Sequence, residues 1–314
     1  MRSEEVLSIT KVFIDGSAGT TGLMIHSRLK KREDLALITL PEETRKDPDA
    51  RAKALNEADI AFLCLPDAAA IQAVGMIANE NTVVIDTSTA HRTSPGWTYG
   101  FPELMGREGV ASSRRIANPG CHATGFVALV QPLVKAGLVK RDACIGCFSL
   151  TGYSGGGKAM IAEYEDRDRS VLLQAPRQYG LAQTHKHLKE MQALCGLVKA
   201  PLFSPVVADF YSGMEVTVLL EKEALAGCPE DIRTLYRNTY AKGLVRYAGE
   251  AEEGGFLSAA AFSGRDDMEV GVYGNEERIA LVARFDNLGK GASGAAIQNM
   301  NIVLGLPEDE GLIR

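Results

Sequence analysis

The sequence predicts an α/β chain in two parts, a doubly wound parallel sheet followed by an α+β unit built on a mainly antiparallel sheet. Three observations predict it. Over the first third, short runs of strand length that are apolar throughout alternate with helical periodicity, as in a sheet covered on both faces. Through the middle, the strands change to period-two alternation and helices become fewer. With 314 residues and roughly 150 residues per domain as a prior, two domains are expected.

The elements follow in order. Residues 12–15 read as a buried strand, then comes a glycine-rich turn and an amphipathic helix over 23–31. A second strand is predicted over 35–40, a helix over 51–57, and a third strand over 59–65, stopped by Pro66. A helix over 67–78 and a fourth strand over 82–86 complete this alternation. Further on, 143–150, 213–220, 268–273 and 279–285 read as strands. Pro229 marks a helix start and predicts a helix from about 230 to 245. The tail, 290–304, is helical and stops at Gly305 with Pro307 just beyond. Its first half is nearly all small residues, so it is expected to pack closely back on the first unit. The expected division is 1–121 with 286–314 as one domain and 122–285 as the other.

Hydrophobic residues are 46% and charged residues 24% of the chain, which excludes disordered and low-complexity classes. Lys and Arg number 34 against 40 Asp and Glu, a net charge of −6. Without a basic block, neither nucleic acid nor an anionic membrane is an expected partner. An anionic ligand must then be held by a few local cations and backbone donors. No stretch approaches the ~18 consecutive apolar residues of a membrane span, and MRSEEVLSIT lacks the apolar core of a secretory signal. Six cysteines, several in apolar surroundings, fit a reduced, cytoplasmic protein. Cys144 and Cys147 have CxxC spacing but no second pair, so they read as core and no metal is expected.

The first strand leads into Gly16-Ser17-Ala18-Gly19-Thr20-Thr21-Gly22. This G-x-x-G-x-x-G spacing differs by one residue from the Rossmann fingerprint. Glycines allow a tight turn and close backbone approach, and the following helix offers free N–H groups and its positive end to a pyrophosphate. A turn that merely packs is the bland alternative. Glu42 or Glu43 could bind a ribose hydroxyl and favour NAD, whereas Arg45 and Lys46 could hold a 2′-phosphate and favour NADP. Spacing alone leaves this a draw.

In Asn118-Pro-Gly-Cys121-His-Ala-Thr-Gly125, Pro-Gly makes a turn and the small and apolar run beyond it reads as a helix. Cys121 therefore sits at a helix N-terminus, where dipole and free N–H groups favour the nucleophilic thiolate over an inert buried thiol. A thiolate nucleophile needs a proton-transfer partner. Among five histidines, His185 and His187 are the better candidates; His122 is expected to point away once the helix has begun, and His26 reads as a surface residue.

These residues carry a resemblance. The Asn118–Gly125 motif with Pro132 is similar to the active-site signature of N-acetyl-γ-glutamyl-phosphate reductases, relatives of aspartate-semialdehyde dehydrogenases. Asp86-Thr-Ser-Thr-Ala-His-Arg92, Trp97–Leu104, Thr151-Gly-Tyr-Ser-Gly-Gly-Gly-Lys158 and Asp286-Asn-Leu-Gly-Lys-Gly-Ala-Ser-Gly294 with Gln298-Asn-Met-Asn301 agree. The likeness runs from the first strand to the last helix, and Leu65-Pro66-Asp67 resembles the shorter, second type. It implies a Rossmann-like cofactor domain and a catalytic and dimerisation domain. It also implies an NADPH-dependent oxidoreductase of arginine biosynthesis in which Cys121 forms a thioester from a small-molecule acyl phosphate. By the same resemblance, His187 or His185 acts as acid and base, and Arg92, Asn118, Tyr153, Ser154 and Gly155 hold substrate. Gly16, Ser17, Gly19, Thr20, Thr21, Gly22, Arg45, Leu65, Pro66 and Asn287 hold NADP, and the chain is a homodimer or homotetramer. Two departures stand out: His122 replaces the usual aromatic residue, and Leu188-Lys189-Glu190 replaces a Pro-Glu after the histidines. Aspartyl phosphate as substrate, or a cysteine hydrolase, are the alternatives.

Overall fold

A computed structural model describes residues 9–249 and 251–314. Its first sheet has six strands: β1 (Thr10–Asp15), β2 (Leu35–Ile38), β3 (Ile60–Leu63), β4 (Val83–Asp86), β5 (Thr98–Tyr99) and β6 (Arg115–Ala117). All pairings are parallel, in the order β2-β1-β3-β4-β6-β5. β3 and β4 are buried along their whole length, which accounts for their apolar runs, broken only by Asp86 at the end of β4. The helices are α1 (Thr20–Leu29), α2 (Pro48–Glu57), α3 (Asp67–Gly75), α4 (Pro102–Met105) and α5 (Arg107–Ala111).

Two helices start earlier than apolar periodicity predicts. α1 begins directly after Gly19, so Thr20, Thr21 and Gly22 form its first turn. α2 begins at Pro48 because the Asp47 carboxylate accepts from the Ala50 N–H at 2.8 Å and proline fills the first helical position. The chain steps from β1 out to β2 and returns to β3 on the other side. The point where strand order reverses therefore lies between the ends of β1 and β3, where ligands bind in open α/β sheets.

The second half contains α6 (Cys121–Lys135), β7 (Gly146–Gly152), α7 (Gly157–Glu165), β8 (Arg177–Gln178), α8 (His187–Cys195), β9 (Leu202–Ala208) and β10 (Met214–Glu221). Then come α9 (Pro229–Thr239), β11 (Val245–Tyr247), β12 (Met268–Gly274) and β13 (Arg278–Phe285). Strand order is β11-β12-β13-β10-β7-β9-β8. β11 pairs β12 and β7 pairs β9 in parallel, and the other pairings are antiparallel. One face packs on α6, α8 and α9 through Phe126, Leu129, Met191, Ile232, Val216 and Leu281; the other leaves Phe148 and Leu219 exposed. The helix predicted to reach 245 ends at Thr239, because Gly243 adopts φ +106° and the chain re-enters the sheet at Val245.

After β13, Gly289–Ser293 makes a wide π-helical turn and α10 (Gly294–Val303) follows. The predicted tail helix is thus two segments. A Cβ on Gly289 would collide with the Arg265 carbonyl, so the small residues serve close packing. Ile297, Met300 and Ile302 of α10 join Val12, Ile14 and Ile25 in the core of the first sheet, as expected. Among the described residues no helix is long and apolar enough to cross a membrane, and no three or more His, Cys, Asp or Glu side chains are arranged to hold a metal ion.

Candidate active site

The glycine turn joins β1 to α1. Gly16 has φ +86°, and a Cβ there would strike the Cys64 carbonyl; one on Gly22 would strike the Gly16 carbonyl. The turn therefore packs tightly on itself and on β3, the N-terminus of α1 has no side-chain cap, and the buried Thr20 hydroxyl has no partner. Two cavities flank the turn. One, of about 500 Å³, is lined by Gly16, Ser17, Glu42, Arg45, Lys46 and Arg51. The other, of about 450 Å³, runs from Gly19–Gly22 past Leu65 and Pro66 to Cys121. This shape, with an orphaned hydroxyl at a helix N-terminus, fits a dinucleotide stretched across the turn. Arg45 binds Glu42 at 2.6 Å, so both candidate ribose readers share one cavity.

Cys121 opens α6, with Gly120 in extended conformation as its cap. Burial pushes the Cys121 thiol up; the His122 N–H, Arg92 and Lys186 pull the other way, and Glu190 adds to the rise. The resting group is a thiol, so the helix terminus expected to yield a standing thiolate is outweighed by burial and a base is required. Cys64, also in the cavity, is pushed to about 12 by burial. It has no helix N-terminus of its own and is the inert thiol of the two.

A buried carboxylate organises the elbow. Glu190, on α8 and 2% exposed, accepts from the Gly120 N–H at 2.9 Å, the Tyr99 hydroxyl at 2.7 Å and Arg92 at 2.9 Å. Arg92 also donates to the carbonyls of Asn118 and Thr87, both at 2.9 Å. Much of the guanidinium expected to hold phosphate is thus spent on the protein. Lys186 lines the same cavity, is exposed, and has no ion-pair partner among the described residues. Asn118 donates from its amide to the Ala292 carbonyl at 3.0 Å, tying the elbow to the π-helical turn.

Three histidines cluster at the Cys121 end of this cavity. Ring centroids lie 4.8 Å apart for His185 and His187, 5.6 Å for His122 and His187, and 5.5 Å for His122 and His185. Burial, then Arg92 and the neighbouring histidines and Lys186, hold His187 well below the ordinary range, so it is a neutral acceptor. Its Nε2 lies against the Gly120 Cα beside Arg92, and its Nδ1 is buried without a partner. His185 is pulled down to about 4 by burial and Lys186, and its Nδ1 accepts the His187 backbone N–H at 3.2 Å.

The structure brings most of the sequence-derived candidates into these two cavities: the glycine turn, Arg45, Leu65, Pro66, Arg92, Asn118, Cys121, Ser154, Gly155, His185, His187 and Asn287. Asn287 accepts from the Gly213 N–H at 2.9 Å and donates to Ser154 at 3.0 Å. Tyr153 is an exception: it lies outside both linings, stacked on Tyr164 with centroids 4.8 Å apart. His122 is another correction, since it lines the Cys121 cavity. Sequence reasoning missed Glu190, Lys186 and Tyr179; the one available signal was an acidic residue on the apolar face of the helix after the histidines.

Residues 121–287 match the dimerisation domain of semialdehyde dehydrogenases, and 27–112 match their NAD-binding domain. A protein of Burkholderia lata named N-acetyl-γ-glutamyl-phosphate reductase is 47% identical over 95% of this chain and 98% of its own length. One of Nostoc sp. named N-acetyl-γ-glutamyl-phosphate reductase 2 is 45% identical over 96% of this chain and 99% of its own. Among solved structures, aspartate semialdehyde dehydrogenase II of Vibrio cholerae superposes with TM-score 0.72 at 18% identity, covering 95% of this chain and 99% of that one.

Proposed function

The chain belongs to the N-acetyl-γ-glutamyl-phosphate reductase family, within the semialdehyde dehydrogenases, and from that premise we propose that it reduces N-acetyl-γ-glutamyl phosphate to N-acetylglutamate 5-semialdehyde with NADPH, in the cytoplasmic synthesis of arginine. One observation carries the reading: Cys121, on a helix N-terminus, shares a cavity with the first turn of α1, where a dinucleotide fits.

His187 takes the Cys121 proton as the sulfur attacks the acyl carbon. The carbon–oxygen bond to phosphate breaks, a thioester forms, and His187 passes its proton to the departing phosphate. NADPH, when bound, supplies the hydride that reduces this acyl group. The carbon–sulfur bond then breaks to release the aldehyde, and Cys121 is reprotonated through His187 from solvent. Lys186 and the remaining N–H groups of Arg92 meet the substrate's anionic groups. The turn Gly16–Gly22 holds the pyrophosphate, Asn287 lies near the nicotinamide end, and Arg45 with Lys46 takes the 2′-phosphate as Glu42 is displaced. Residues 1–121 with 286–314 are the cofactor domain, and 122–285 the catalytic and oligomerisation domain. The matched dimerisation domain and the open face bearing Phe148 and Leu219 support a homodimer or homotetramer.

The test is phosphate-dependent reduction of NADP by N-acetylglutamate semialdehyde, run beside aspartate semialdehyde and beside NAD. The reading expects kcat/KM higher by at least about 10²-fold for the acetylated aldehyde and by about 10-fold or more for NADP. Preference for aspartate semialdehyde, or turnover without phosphate, would overturn it.

A further inference from the structure

This inference rests on the reading of Cys121 as the acylated nucleophile and concerns a hydroxyl beside it. His122, second residue of α6 and 3% exposed, has Nδ1 2.7 Å from the Ser149 Oγ and Nε2 2.6 Å from the Tyr179 hydroxyl. Burial, with His185 and Lys186 nearby, pulls His122 down to about 3, so the ring is neutral and carries one proton. The position of that proton follows from Ser149. This serine, on β7, is fully buried, and among the described residues its hydroxyl has no acceptor besides His122 Nδ1. A buried hydroxyl proton must be given to an acceptor. Ser149 therefore donates to Nδ1, the imidazole proton sits on Nε2, and Nε2–H donates to the Tyr179 oxygen. The reverse orientation would strand a buried donor.

With its oxygen engaged as acceptor, Tyr179 keeps its own O–H for the cavity, which it lines together with Cys121. Burial raises Tyr179, and charge on Cys121 raises it further, so the hydroxyl stays a donor while the sulfur reacts. Tyr179 is held at its backbone, its N–H donating to the Pro205 carbonyl at 3.0 Å.

We propose that Tyr179 is a further catalytic residue, its O–H donating to the oxygen on the carbon bonded to Cys121, and that Ser149 and His122 are positioning residues that aim it. The bond is one of donation only: negative charge gathers on that oxygen when sulfur attacks and again when the thioester is reduced, and no proton leaves Tyr179.

Tyr179→Phe keeps the ring and removes the donor; kcat is expected to fall about 10²-fold, with KM for both substrates within about 2-fold and Tm lowered by about a few degrees as the His122 Nε2–H loses its acceptor. Ser149→Ala frees the tautomer and is expected to cost a smaller part of kcat, but nothing further in the Tyr179→Phe background. Nitrogen NMR of labelled histidine in the intact enzyme is expected to show His122 as the Nε2–H form. Cys121→Ser run alongside isolates the premise: a wild-type enzyme that turns over with an inactive Cys121→Ser variant leaves the nucleophile in place. Wild-type kcat in Tyr179→Phe, an equal Ser149→Ala loss in both backgrounds, or an Nδ1–H His122 then overturns this inference alone.

Discussion

The two ends of the Cys121 cavity are built in opposite ways. The end at the glycine turn is built largely of backbone: Gly16, Gly19, Gly22 and the uncapped start of α1, all within seven consecutive positions. The Cys121 end is made of side chains brought from far apart. Glu190 reaches Gly120 across 70 positions and Arg92 across 98, and Tyr179 meets His122 across 57. A backbone site is specified by absent side chains and tolerates little addition. A side-chain site is specified by partners, and removing one leaves another buried without its match.

That contrast sets the order of expected effects. Cys121→Ser is the largest: turnover falls about 10⁴-fold or more, while dinucleotide affinity, read by fluorescence quenching, stays within about 2-fold. A parallel loss of affinity would mean that the two ends are not separable. Glu190→Gln comes next, because it removes the counter-charge of buried Arg92. About 3–5 kcal/mol of stability is expected to go, seen as a lower denaturation midpoint, together with a loss of kcat as Gly120 loosens. A stable, active variant would show that Arg92 finds another partner. Gly22→Ala probes the opposite end: KM for the dinucleotide is expected to rise about 10-fold or more with kcat much less affected, since the added Cβ meets the Gly16 carbonyl. Arg45→Ala is milder, narrowing the NADP-over-NAD preference by about 10-fold; an unchanged ratio would remove Arg45 from the 2′-phosphate site.

The last effect is absent at neutral pH and appears only on acidification. His122 and His185 have folded values of about 3 and 4, below the 6.5 expected of an unfolded histidine. Between pH 6.5 and these values the unfolded chain binds protons that the folded one refuses. Their contribution is therefore intact above pH 6.5 and lost as pH falls, by up to about 1.4 kcal/mol per pH unit for each histidine. His122→Gln is expected to flatten the acid limb of a stability–pH curve, and an unchanged limb would place the linkage elsewhere.

Legibility in the sequence follows the same division. The strand–turn–helix at Gly16–Gly22 was readable because its physics is local: a strand, three spaced glycines and a helix start are contiguous. Cys121 was readable for the same reason, as Pro-Gly followed by a small, apolar run is a local helix-start pattern. Glu190, Lys186 and Tyr179 were not, because each acquires meaning only when α8 and the β8 edge dock on α6. Arg92 was found, but its three bonds to protein atoms could not be; Tyr153 and Ser154 are neighbours, and one turns onto Tyr164 while the other faces the cavity. The tail helix was placed on the right core, yet its small residues concealed a π-helical turn that only the contacts of Gly289 explain.

Every role proposed around the elbow depends on Cys121 becoming acylated. Mixing the enzyme with N-acetyl-γ-glutamyl phosphate and no dinucleotide tests it most directly. A stoichiometric burst of inorganic phosphate is expected, with an intact mass raised by the N-acetylglutamyl group, mapped to Cys121 and absent in Cys121→Ser. Phosphate release only in the presence of NADPH, or an adduct on Cys64 or any other residue, would contradict it.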